Sequence, residues 1–133
     1  METLNKISWT IDRHPQEAGE FVGEKDITIV KLSDELKNKI VLPGRNFSII
    51  YPASRYGEKE IREYYNTGGQ PLTTNDLLYT IYTFYQRPVT EEEIQKWDFP
   101  EDAETLAEAM EALVFFEGLD QISPDVYLLR LGS

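Results

Sequence analysis

Apolar and polar residues alternate over Ile7-Ser8-Trp9-Thr10-Ile11, a period of two that predicts a strand with one buried face. The segment 14–24 mixes proline, glycine and charge and reads as loop, while Asp26 to Leu32 is apolar and β-branched enough for a second strand. Ser33 then stands as the cap of a short helical turn reaching Asn38. A turn at Val41-Leu42-Pro43-Gly44 leads into a third strand, Asn46 to Tyr51, ended by Pro52. Between Gly57 and Asn66 the residues Ile61, Tyr64 and Tyr65 share a helical face, so a helix is expected there, with a strand edge as the alternative.

Thr67-Gly68-Gly69-Gln70-Pro71 is a breaker that separates two halves of the chain, 1–66 and 67–133. Thr73 lies three residues before Asp76, which predicts a capped helix running to about Gln86, with Leu77, Leu78, Ile81, Phe84 and Tyr85 on its buried side and Pro88 closing it. Thr90 and Glu93 repeat the capping pattern and open a helix to about Trp97. A third helix is expected from near Pro100 to about Leu113, placing Leu106, Met110 and Leu113 inward and Glu101, Glu104, Glu108 and Glu111 outward. Val114-Phe115-Phe116 and Val126 to Leu131 read as strands joined by a loop containing Gly118 and Pro124, a C-terminal hairpin. These elements sum to an α+β domain, a small antiparallel sheet with that hairpin packed on two or three helices.

With 133 residues and 41% hydrophobic composition, the chain suits one domain and excludes generic disorder. It has no cysteine, which removes disulfide and thiolate chemistry and, with no apolar leader at Met1 to Lys6, predicts an intracellular protein. No apolar run approaches the roughly 20 residues that a membrane span needs. Asn46-Phe47-Ser48 matches a glycosylation sequon by chance, inside an apolar run.

Charge changes the picture more. The first half holds ten basic and eleven acidic side chains, and the second holds three basic and thirteen acidic, so nearly all of the net charge of −11 lies in the second. From Glu91 to Glu117 only Lys96 is basic, so this region repels phosphate and attracts a basic protein partner, and direct nucleic-acid binding is not expected. Such acids also serve to solvate a helix face. If Glu104 and Glu108 sit on one helix they lie about 6 Å apart along its axis, a spacing near that of adjacent phosphates.

Candidate chemistry is sparse. His14, the only histidine, falls in the turn-like Asp12-Arg13-His14-Pro15 with no nucleophile-elbow pattern in the chain, and Asp98, Glu101, Asp102 and Glu104 lack the order of a calcium loop. No catalytic residue, cofactor or metal is assigned. Tyrosines 56, 64, 65, 79, 82 and 85 crowd one stretch, and such side chains are enriched at interfaces. Arg45, Arg55, Lys59 and Arg62 lie near some of them, largely cancelled by Glu58, Glu60 and Glu63.

The segments Pro71 to Leu78 and Ile81 to Tyr85, followed by Pro88 and Thr90, together with Val114 to Leu119 and Tyr127 to Ser133, resemble a group of uncharacterised small proteins of large DNA viruses of protists, with looser relatives in fungi. Residues 1–60 are outside the likeness, which rests on capping, core and hairpin residues and so implies a fold and no reaction. It implies a viral setting, as a virion component or a host-interaction protein. The function expected from the residues is a non-catalytic protein–protein interaction, through Glu101, Glu104, Glu108 and Glu111 with Tyr79 and Tyr82. The alternatives are a structural subunit, compatible with a homo-oligomer, and a small enzyme with a carboxylate-lined pocket.

Overall fold

The computed structural model describes residues 3–54 and 58–133. Its central strand is β5 (Phe47–Pro52), which places Phe47, Ile49 and Tyr51 in the core at alternate positions. It is flanked by β6 (Glu60–Tyr65), antiparallel, and by β9 (Val126–Gly132), parallel. The sheet is completed by β8 (Phe115–Ser123), paired with β9 as the C-terminal hairpin, in the order β6-β5-β9-β8. Three short strands, β1 (Ile7–Ser8), β2 (Gly19–Val22) and β3 (Thr28–Lys31), form a second, antiparallel sheet. A small ribbon pairs β4 (Ile40–Leu42) with β7 (Leu72–Thr73). With its helices the molecule is α+β, as its residue pattern predicts.

Local capping chemistry decides where the helices begin. Helix α1 (Asp34–Lys37) starts at Ser33, whose hydroxyl accepts the Leu36 N–H. Helices α2 (Thr74–Tyr85) and α3 (Glu91–Trp97) each open on a reciprocal box, Thr73 with Asp76 and Thr90 with Glu93. Leu77, Leu78, Ile81, Phe84 and Tyr85 are all buried along α2, the face that their spacing predicts.

Several expectations are corrected. Where a helix is expected within Gly57 to Asn66, residues 60–65 form a strand: exposed and half-buried positions alternate strictly, and each residue is paired with β5. Gly57, Tyr56 and Arg55 lie outside the described residues. The long helix from Pro100 to Leu113 is reduced to α4 (Leu106–Ala109), capped by Thr105. Tertiary backbone bonds outcompete it: Val89 N–H donates to Glu104 O and Leu106 N–H to Arg87 O, holding Thr105 extended opposite Pro88. Leu106 and Met110 are nevertheless fully buried, and Leu113 half-buried.

The supposed loop 14–24 contains β2, which pairs with β3. Gly19 belongs there because an added Cβ would lie 2.7 Å from Val30 O. The strand expected over 7–11 is only β1, although Ile7, Trp9 and Ile11 are buried in alternation and Thr10 bridges to Phe115. Strand pairing also reaches into the turn at 41–44 through β4. Gly118 lies within β8 rather than in the hairpin loop, at a bulge with φ +117°. Finally, the Thr67–Pro71 turn divides nothing in space, since β5 and β6 from the first half share a sheet with β8 and β9 from the second.

Leu106→Ala should lower the free energy of unfolding by about 2 to 5 kcal/mol, because Leu106 is wholly enclosed and little can collapse into the space it leaves. Urea denaturation with an unchanged m-value checks this; a loss below about 1 kcal/mol would place the side chain outside the core.

Candidate functional site

Tyrosine hydroxyls organise the region where β5, β6 and α2 meet. Tyr51 lies flat on Phe84, 3.8 Å between ring centroids and 10° from parallel, and its hydroxyl meets that of Tyr65 at 2.6 Å. Tyr85 packs edge-on against both rings and donates to Pro52 O at 2.6 Å, so a helix hydroxyl satisfies a strand carbonyl. Tyr65 in turn stacks on Phe47. Burial, with the neighbouring tyrosines adding, raises Tyr51 and Tyr85 well above the usual tyrosine range. Burial also pushes Tyr65 up to about 12, with Glu63 adding to the effect and the Tyr51 hydrogen bond opposing it.

Above this floor runs a groove between β6 and α2. One cavity of about 490 Å³ is lined by Glu63, Tyr65, Tyr79, Thr80, Thr83, Phe84 and Arg87. A second, of about 290 Å³, shares Tyr65, Tyr79 and Thr80 and continues past Phe47, Leu72 and Asp76. On the opposite face of β6 lies a cavity of about 340 Å³ bounded by Asn46, Ser48, Arg62, Tyr64 and Val126 among others. Arg62 lies over the Tyr64 ring at 4.9 Å and bonds Ser48 Oγ, while Tyr64 is 73% exposed.

Between these cavities β6 presents a free edge, since it ends the sheet. Ala53 N–H donates to Lys59 O, and from that pair the antiparallel alternation gives Ile61, Glu63 and Tyr65 the backbone bonds to β5. The N–H and C=O groups of Glu60, Arg62 and Tyr64 therefore point away from the sheet, with no backbone partner among the described residues. The other end of this sheet differs, because Phe116 N–H donates to Trp9 O and Ile11 N–H to Val114 O, covering the start of β8.

Of the residues singled out from the sequence, Tyr79 lines the groove and Tyr82 does not. Both are half-buried and hold the His14 ring edge-on at 5.3 and 5.4 Å, while His14 Nδ1 accepts the Gln16 N–H as the cap of a short turn. His14 is thus bound up in structure, outside the groove. Glu101, Glu104, Glu108 and Glu111 are exposed, but they do not form one helical stripe. Glu101 lies in a turn, Glu104 precedes the Thr105 cap, Glu108 turns back to accept the Glu104 N–H, and Glu111 follows α4 at φ +54°. A phosphate-like spacing along a helix axis is therefore not formed. No group of three or more metal-ligating side chains converges among the described residues, and no helix is long and apolar enough to cross a membrane.

The open edge of β6 is the feature that residue spacing missed, because a helical reading of 57–66 hides it. The clue available was the run Glu60-Ile61-Arg62-Glu63, charged and apolar in a pattern that also fits a strand edge. No family model matches the chain, and neither a curated protein nor a solved structure is detectably similar to it.

Alkaline pH should destabilise the fold through these tyrosines. Their folded pKa values lie above the unfolded value of 10.0, so their contribution is complete below pH 10 and is lost as pH rises through 10 toward 12. Urea unfolding followed at increasing pH, with tyrosinate absorbance read in parallel, should show stability falling in that window. Tyr65→Phe should cost about 1 to 3 kcal/mol at neutral pH by leaving the Tyr51 hydroxyl buried without its partner.

Proposed function

We propose that the protein is a non-catalytic protein–protein interaction module that takes an extended segment of its partner as an added strand on β6. One observation carries this reading: an unpaired edge strand with a cavity on each face, the larger roofed by a helix. In strand addition the backbone edge supplies affinity, and pockets that receive alternate side chains supply selectivity. The outward groups of Glu60, Arg62 and Tyr64 give the ladder, with side chains alternating between the Tyr65–Tyr79 groove and the Arg62–Tyr64 cavity. Tyr79 keeps the interface role expected of it, and the acidic residues of 91–111 become a surrounding field rather than the contact surface. In the viral setting implied by the likeness at residues 71–90, the segment belongs to a host protein.

The edge can be blocked without touching the core. Tyr64→Pro removes an outward N–H, a position where an edge strand tolerates proline, whereas Tyr64→Ala removes only the exposed ring. Heptapeptides selected from a random displayed library should bind the parent protein, and Tyr64→Ala, which trims one cavity wall but keeps the outward N–H, should weaken them only a few-fold. They should lose at least tenfold in affinity on Tyr64→Pro, with circular dichroism unchanged. No enrichment, or peptides indifferent to the proline, would overturn the reading.

A second reading, self-assembly as a structural subunit, is favoured by the β2–β3 hairpin. Phe21, Ile27 and Ile29 are 42%, 64% and 61% exposed and Phe115 is 52% exposed. Phe21, Ile29 and Phe115 line a cavity of about 470 Å³. On that reading light scattering shows a dimer or larger species that Phe21→Glu with Ile29→Lys converts to monomer. On the first reading the unmodified chain is already monomeric.

A further inference from the structure

We infer that the segment received on β6 carries a basic side chain at the position opposite Glu63, an inference that rests on the strand-addition reading. Glu63 lies on the groove face of β6, half-buried beside Tyr65, and makes no ion pair among the described residues. Among the described residues the one cation lining that groove, Arg87, is held by Glu93 at 2.7 Å from outside it. Asp76, farther along, adds a second carboxylate, which accepts the Thr73 N–H in its capping box. The groove is therefore net negative, with one half-buried carboxylate uncommitted.

The strand geometry fixes where a compensating charge must stand. If the segment adds antiparallel, as β5 does on the other side of β6, Arg62 and Tyr64 bond the incoming backbone and Glu63 faces a non-bonded pair position, the closer of the two types, with opposed Cβ atoms about 4.5 to 5.5 Å apart on the same face. A lysine or arginine there lays its alkyl stem along the rings of Tyr65, Tyr79 and Phe84 and brings its N–H donors to the Glu63 carboxylate. Thr80 and Thr83 hydroxyls offer further acceptors in the same cavity. A glutamate at that position would meet Glu63 directly, and an alkyl residue would leave the carboxylate half-desolvated and unpaired.

The opposite face asks for something else. There Arg62 makes no ion pair among the described residues, while Asp125 is tied to Arg45 at 2.8 Å, so neighbouring positions of the segment, which point to that face, do not favour lysine. The partner strand is thus basic on its groove face alone. A uniformly basic tail would not show this alternation.

The test uses the displayed heptapeptide library on the whole protein, selected in parallel against the parent, Glu63→Gln and Glu63→Lys. Peptides from the parent should share one lysine or arginine, and replacing it by glutamine in the synthetic peptide should weaken binding about tenfold by fluorescence polarisation, an effect damped by salt. That preference should vanish on Glu63→Gln and turn to an acidic residue on Glu63→Lys, each variant checked for an unchanged thermal transition. Peptides that bind the edge, as judged by sensitivity to Tyr64→Pro, yet show no basic preference, or keep it on Glu63→Gln, would overturn this inference and leave the strand-addition reading standing. Peptides insensitive to Tyr64→Pro would overturn both.

Discussion

The face-to-face contact of Tyr51 with Phe84 is the joint on which the molecule depends. It brings the central strand against α2, and the hydroxyls it leaves at the rim are satisfied by hydrogen bonds. A buried tyrosine gains apolar area from its ring and loses much of that gain if its hydroxyl is left dry, so the contact depends on Tyr65 standing beside the Tyr51 hydroxyl, as the adjoining Tyr85 depends on Pro52 O. That requirement fixes the register of β6 against β5, since Tyr65 must lie on the core-side face for its hydroxyl to reach Tyr51. Once Tyr65 is placed, Glu63 and Ile61 share its face, and Arg62 and Tyr64 are turned to the other. The chemistry of both cavities thus follows from one aromatic pair.

An open strand edge is a hazard as well as a site, because any extended chain can pair with it. Here β6 is short and carries Glu60, Arg62 and Glu63 in alternating sign, which opposes pairing with an unselected apolar strand. The same charges permit pairing with a strand whose pattern answers them. Specificity then comes from rejection as much as from attraction. The far end of the sheet is handled differently, with the backbone of residues 9–11 laid over the start of β8. Along β6, by contrast, no described backbone covers any part of the outer edge.

How far the fold could be read from residues alone depended on whether the deciding forces were local. Ser33, Thr73 and Thr90 act within one helical turn, and each capped helix begins where its pattern predicts. The failures share a cause: a distant segment supplied hydrogen bonds that the local pattern did not reveal. Residues 60–65 hold Ile61, Tyr64 and Tyr65 at helical spacing, yet β5 offered six cross-strand partners and the period-two alternative won. Residues 100–113 had the best amphipathic pattern in the chain, and the extended segment 87–89 still captured the backbone of Glu104 and Leu106. Their inward residues remained inward, because burial of Leu106 and Met110 is demanded by either backbone. The groove was the least legible part, since it exists only where β6 is the last strand of its sheet, a fact of topology.

The charge asymmetry acquires a different role once the acids are placed. Spread over two short helices and the turns between them, the carboxylates of 91–111 form no single helical stripe, but their field does not require one. Exposed charges act over about a Debye length, so on the strand-addition proposal they would raise the encounter rate of a basic segment and be readily screened. On the same proposal Glu63 works differently: half-buried on the groove face, it would distinguish among segments that the field delivers alike. Attraction and discrimination are therefore separable: salt weakens the first more than the second, while the register set by Tyr51 and Tyr65 governs only the second.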